Sequence, residues 1–189
     1  MVPVIGEIGI NHNSFVASAI ELIEIADKAG ATYAKFQCQT PELAVPKSEW
    51  KKMRVPPWSD EPIPYIDYKR AMCFSRDDLT FLYHHCSYSR TPFTPSVWDI
   101  PSLESVSGLD MPFIKIPSAK LTDDELLKAC VQSGSPVLLS CGMSTEDEVD
   151  RAVEIVGQSV GASLMHCHAA YPAKEAEANL SLIPHMKER

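Results

Sequence analysis

The chain has 189 residues, 45% of them hydrophobic, and a formal charge of -8 at neutral pH. That length and apolar content suit one globular domain with a buried core, and the acidic balance leaves no basic face for a nucleic acid or an anionic membrane surface. The six cysteines have neither C-x-x-C nor zinc-type spacing and read as reduced thiols of a cytosolic, hence cytoplasmic, protein, while the Met1 to Ile10 start lacks the basic region of a signal peptide and no apolar run nears the ~20 residues of a membrane helix.

Short apolar runs alternate with amphipathic stretches, the sequence form of repeated βα units. Val4 to Ile10 predicts a first strand, and Phe15 to Ala29 a helix with Ile20, Ile23, Ala26 and Ala29 at helical spacing and Gly30 as its stop. Tyr33 to Gln37 is the second strand. Pro41 to Pro64, rich in proline, tryptophan and charge, shows no period and reads as a long functional loop. Ser75 to Ser87 predicts a helix with Ser75 as N-cap and Asp77 and Asp78 in its first turn. Thr91 to Thr94 marks the end of a third strand. Phe113 to Ser118 is the fourth, and Thr122-Asp-Asp-Glu125 opens the next helix as a capping box, with Gly134 closing it. Pro136 to Cys141 is the fifth strand. A second box, Thr145-Glu-Asp-Glu148, starts a helix with the stripe Val149, Ala152, Val153, Val156, and Ser163 to His168 is the sixth strand.

Strand starts near positions 113, 136 and 163 imply a repeat of roughly 25 residues, close to the ~30 per unit of a (β/α)₈ TIM barrel. About six βα units are present, so residues 1–189 read as one incomplete α/β barrel domain. An open doubly wound sheet would carry a glycine-rich loop after its first strand, and here that strand runs into Asn11-His12-Asn13.

Polar side chains recur at or near the predicted strand ends: Glu7, Lys35 with Gln37, Thr91, Lys115 with Ser118, Ser140, and His166. In a barrel the C-terminal strand ends share the rim where active sites form. Glu7, Lys35 and Lys115 sit in apolar strands and need partners, because burying an unpaired charge costs several kcal/mol. Two lysines with Thr91, Ser118 and Ser140 make a cradle suited to a phosphate, and Glu7 is then the candidate acid or base. His166 and His168, two apart on a strand, share a face and could both ligate a metal; the commoner outcome is one hydrogen-bonded core histidine and one polar neighbour.

The strings Glu7-Ile-Gly-Ile-Asn-His12, Lys35-Phe-Gln37, Thr91-Pro-Phe93, Lys115-Ile-Pro-Ser118, Leu139-Ser-Cys-Gly-Met143 and Leu164-Met-His-Cys167, the last followed by Tyr171-Pro172, occur in this order. Together they resemble the N-acetylneuraminate (sialic acid) synthase family over nearly the whole chain. The resemblance implies a transferase of carbohydrate biosynthesis. In it, C3 of phosphoenolpyruvate attacks the open-chain aldehyde of an N-acylated amino sugar such as N-acetylmannosamine, water adds at C2, and phosphate leaves by C–O cleavage. It further implies that Lys35, Thr91, Lys115, Ser118 and Ser140 hold phosphoenolpyruvate, that Gln37 and Tyr171 contact the sugar, and that Glu7 faces the reacting centre.

The resemblance also implies a divalent metal, Mn or Mg, whose histidine ligands in the family lie on the seventh and eighth strands, so no ligand position is carried over to this chain. Ser14 replaces a glycine, Arg90 a serine, Lys120 a glutamate, and Ala169 an asparagine of the family pattern. The expectation is therefore a synthase barrel incomplete alone, which self-associates or is closed by a completing chain. The rivals are a 3-deoxy-octulosonate phosphate synthase, for which the sequence shows no second phosphate cradle, and a degenerate, non-catalytic binding or assembly subunit of the same family.

Overall fold

The first apolar run forms strand β1 (Ile5–Gly9), and helix α1 (Val16–Lys28) follows it. These and all later elements come from a computed structural model that describes residues 2–187. The chain divides into two compact units, one ending at Pro112 and the other beginning at Phe113.

In the first unit β2 (Tyr33–Cys38) pairs in parallel with β1 and with the strand at Phe93–Val97. Between them lie α2 (Pro41–Ala44), a 3₁₀ turn at Lys47–Glu49, an antiparallel pair β3 (Met53–Arg54) and β4 (Ile63–Pro64), then α3 (Tyr65–Ala71) and α4 (Arg76–Cys86). The aperiodic stretch 41–64 is thus ordered by short elements, each too brief to show a period in sequence. β5 (Phe93–Val97) and α5 (Ile100–Glu104) complete the unit. Asp99 caps α5 by accepting from the Ser102 amide at 2.8 Å and also takes the Thr40 amide and hydroxyl, each at 2.8 Å.

The core of this unit is aromatic. Phe36 stacks on Phe93 at 5.3 Å between centroids, and His12, 1% exposed, stacks on Phe74 at 4.0 Å. Ile23, Met72 and Leu82 fill the remaining space, each worth about 1.5–3 kcal/mol when fully buried. Ser75 caps α4 as expected and does more, forming a capping box in which the Asp78 carboxylate accepts from the Ser75 amide at 3.1 Å.

Ser14 has φ +75°, in the left-handed region where a Cβ costs about 1–2 kcal/mol. Its hydroxyl recovers part of this by donating to Met72 Sδ at 3.6 Å. Ser14→Gly is expected to raise stability by roughly 0.5–1 kcal/mol, since glycine gives back part of the gain as unfolded-chain entropy. A thermal melt should move up by about 1–4 °C; an unchanged or lower melting point would show that the serine is not strained there.

In the second unit β6 (Ile114–Ile116), β7 (Val137–Ser140) and β8 (Ala162–Met165) pair in parallel. Ile114, Ile116 and Leu139 are fully buried, as are Leu126, Leu127 and Cys130 of α6 (Asp124–Gln132). In α7 (Glu146–Val156) the stripe Val149, Ala152 and Val156 is buried, and the Thr145 capping box forms. The α6 cap differs from expectation. Asp123, not Thr122, accepts the Leu126 amide at 3.2 Å, because a 3₁₀ turn at Ser118–Lys120 carries the chain one residue further and a carboxylate outbids a hydroxyl there. A short α8 (Leu182–Met186) ends the described chain.

Among the described residues no helix is long and apolar enough to cross a membrane. All six cysteines are free. Burial pushes the Cys38, Cys86 and Cys130 thiols up to about 12, so none of these three is a nucleophile at neutral pH.

Candidate active site

The polar strand-end residues of the first unit meet in rows set by the parallel register. Glu7 lies opposite Lys35, and Lys35 opposite Thr94. Lys35 is 4% exposed, and its Nζ reaches Glu7 Oε2 at 2.7 Å, while the Glu7 side chain is 64% exposed. The buried ammonium thus has the counter-charge that the apolar strand demands. Two residues further along, Gln37 lies half-buried opposite Ser96. Thr94 and Ser96 are both buried. Sequence reasoning passed over this pair, although alternation at period two after Phe93 carries the signal.

Thr91 does not join these rows. It precedes β5, so it lies beyond the N-terminal end of the strand, opposite to the end where a barrel builds its site. Its hydroxyl sits 3.3 Å from Asp27 Oδ1 and 3.2 Å from the Ala31 carbonyl, and the residue is fully buried. The Thr-Pro-Phe string therefore holds the α1–β2 turn, and the Thr91 assignment to phosphoenolpyruvate is withdrawn. The cause is a displaced strand end: the third parallel strand runs from Phe93 to Val97, beyond the expected stop at Thr94.

In the second unit Lys115 lies opposite Leu138, and Ser140 follows Leu138 by two residues, on the same face of the sheet. Ser140 is 1% exposed, and its hydroxyl oxygen is buried without a hydrogen-bond partner. Ser118 Oγ accepts the Gly142 amide proton at 3.0 Å, which leaves the serine's own proton free to donate. Gly142 allows that approach: a Cβ there would stand 3.1 Å from Ser118 Oγ and 2.9 Å from the Cys167 carbonyl. Lys120, the departure from the family glutamate, pairs with Asp123 at 3.3 Å.

His166 and His168 are not on a strand, because β8 ends at Met165. His166 Nε2 donates to the Ala178 carbonyl at 2.7 Å, and His168 pairs with Glu177 at 3.3 Å. Both are engaged by the segment that follows β8, His166 as a hydrogen-bonded histidine. Tyr171, the other residue that the resemblance assigns to the sugar, is 96% exposed. Among the described residues no group of three or more His, Cys, Asp or Glu side chains is placed to hold a metal ion.

The first unit also contains a cleft of about 670 Å³ that begins at Gln37 and Gln39 and is walled by the 41–69 segment. Lys52, Arg54 and Lys69 line it, with Glu49 as the one acidic side chain and Trp98 and Tyr65 as aromatic walls.

Parallel βα units with polar residues at successive strand ends define a partial (β/α)₈ barrel. The chain belongs to the NeuB family, whose match covers residues 22–189. It is 33% identical to the N-acetylneuraminate-9-phosphate synthase of Drosophila melanogaster, over 98% of this chain and 50% of that one. It is 29% identical to the N,N'-diacetyllegionaminic acid synthase of Legionella pneumophila, over 94% of this chain and 51% of the other. The crystal structure of N-acetylneuraminic acid (sialic acid) synthetase from Leptospira borgpetersenii superposes with a TM-score of 0.85 at 27% identity, covering 99% of this chain and 62% of that one. The chain thus spans about half the length of the curated relatives it matches.

Proposed function

We propose that this chain carries the phosphoenolpyruvate-binding part of an N-acylneuraminate-type synthase, which condenses phosphoenolpyruvate with an N-acylated amino sugar. The observation that carries the reading is the buried Lys35 paired with the exposed Glu7 carboxylate at a strand end. A buried ammonium beside an open carboxylate can fix an anionic substrate and hold an acid or base at the reacting atoms. In the first unit Lys35 supplies charge to the anionic substrate, and in the second Lys115 supplies charge and Ser118 and Ser140 directed donors of the kind a phosphate takes. As C3 bonds to the aldehyde carbon and water adds at C2, Glu7 takes a proton from that water and passes it to the aldehyde oxygen, phosphate leaves from C2, and Gln37 orients the sugar. A divalent ion, which the resemblance implies, would polarise the aldehyde and activate water when bound; the described residues do not form its site, and no step above runs through it. A cytosolic setting is part of this proposal, and the absence of disulfides among the six cysteines supports it.

Ser140 supplies the test. Its buried hydroxyl lacks a partner, so Ser140→Ala removes an unsatisfied group and should leave the melting temperature unchanged or higher. The same change should weaken phosphoenolpyruvate binding in titration calorimetry by about tenfold, the loss of one hydrogen bond to a charged ligand. Unchanged affinity would remove Ser140 from the site. Absence of any phosphoenolpyruvate binding to the parent chain would favour a non-catalytic binding subunit.

A further inference from the structure

Two cysteines of the second unit lie side by side, and the synthase reading uses neither. We infer that Cys141 and Cys167 form a redox site, in which hydrogen peroxide joins them in a reversible intramolecular disulfide that disturbs the neighbouring Ser118. The disulfide itself stands apart from the synthase reading; its effect on phosphoenolpyruvate rests on that reading.

Register brings the pair together. Ser140 of β7 lies opposite Met165 of β8, and the Cys141 amide continues the ladder by donating to the Met165 carbonyl at 3.2 Å. Cys141 is therefore one residue past that pairing and Cys167, on the adjacent segment, two past it. At the usual strand spacing and rise their Cα atoms fall on a diagonal of about 5.8 Å, inside the roughly 4.4–6.8 Å that a disulfide spans. Past the strand ends the two segments stay in contact, since a Cβ on Gly142 would stand 3.3 Å from Cys167 Cβ.

Access agrees with this. Cys141 and Cys167 are both half-buried and line one cavity of about 290 Å³, so a small oxidant that enters it meets both thiols. Burial, and after it the nearby Cys167, push the Cys141 thiol up, which suits Cys141 to the second step and leaves the first to Cys167. The other neighbouring pair is closed to such chemistry: Cys38 beside Cys73 is 5% exposed, with its thiol pushed up to about 12.

The steps balance with peroxide as the oxidant. Cys167 sulfur attacks one peroxide oxygen, the O–O bond breaks, and the departing hydroxide takes the thiol proton and leaves as water. Cys141 sulfur then attacks the sulfenic sulfur, the S–O bond breaks, and that hydroxide leaves with the Cys141 proton as a second water. A cytosolic thiol pool reverses the bond by exchange.

The disulfide reaches the anion cradle through one residue. Cys141 Sγ donates to the Met165 carbonyl at 3.2 Å and must release it to bond to Cys167. Gly142, next in the chain, gives its amide to Ser118 Oγ at 3.0 Å and lies close against Cys167, where a Cβ would stand 2.9 Å from the carbonyl. Drawing Cys141 toward Cys167 therefore pulls the Gly142 amide from Ser118 and turns the serine donor away from the phosphate.

The experiment takes the whole chain, reduces it, treats it with a small excess of hydrogen peroxide, and maps its peptides after alkylation. Two of the six thiols should be lost, in a linkage between the peptides of Cys141 and Cys167, and dithiothreitol should restore both. Cys141→Ser and Cys167→Ser should each abolish the linkage. In titration calorimetry the oxidised chain should bind phosphoenolpyruvate about tenfold more weakly, the loss of one hydrogen bond to a charged ligand. Affinity should return on reduction, and oxidant should not move it in either serine variant. No loss of thiols, a linkage through other cysteines, or a cross-link between chains overturns the redox site. The expected linkage with unchanged affinity overturns its hold on Ser118. Failure of the reduced parent chain to bind phosphoenolpyruvate strikes the synthase reading instead, and the peptide map alone then decides the disulfide.

Discussion

Lowering the pH from 7 to 4 is expected to remove about 3 kcal/mol of stability through His12 alone. Burial against Phe74 and Phe36 lowers its pKa from 6.5 to about 4, against a smaller opposing effect of its bond to the Gly9 backbone. The sign follows from proton counts. Between pH 6.5 and 4 the unfolded chain holds a proton on His12 that the folded chain lacks, so unfolding takes up protons and stability falls as pH falls. Above pH 6.5 both states are neutral and the contribution is constant. Urea unfolding at pH 7 and pH 4.5, compared with a His12→Gln variant, isolates the effect from the titrating carboxylates. An equal acid loss in the variant would show that His12 does not carry it.

Lys35→Met should weaken phosphoenolpyruvate binding by about 1.5–3 kcal/mol, roughly ten- to over a hundredfold, the usual worth of a hydrogen bond to a charged group. Stability should change far less. Methionine fills most of the volume of the buried lysine stem, and the Glu7 carboxylate, being largely exposed, returns to water without a desolvation penalty. Calorimetric titration with a parallel melt separates the two. A large fall in melting temperature with unchanged affinity would make Lys35 a structural ion pair instead of a ligand contact.

The repeat of the fold was legible because each parallel strand is a short apolar run and two of the helices begin with the capping boxes at Ser75 and Thr145. The positions of Lys35, Gln37 and Ser140 on parallel strands were legible because each interrupts or ends a short apolar run. Thr91 was misplaced because Thr-Pro-Phe and Phe-Thr-Pro-Ser overlap, and no local signal says which copy is the strand's exit. Only pairing with β2 decides for Thr94 and Ser96. His166 was misplaced because strand length is set by the neighbour's register, and β7 stops at Ser140 opposite Met165. The cationic cleft was invisible for another reason: Gln39, Arg54 and Lys69 are far apart in sequence and are gathered by two-residue strands that leave no period.

Asp99 joins the two ends of this picture. One carboxylate grips both the start of α5 and the backbone and hydroxyl of Thr40, the residue at which the chain leaves the sheet for the 41–69 segment. The segment is therefore moored at its root. Gln37 on β2 and Gln39 just beyond it thus lie on the near side of a fixed point, and the cations of the 41–69 segment on its far side.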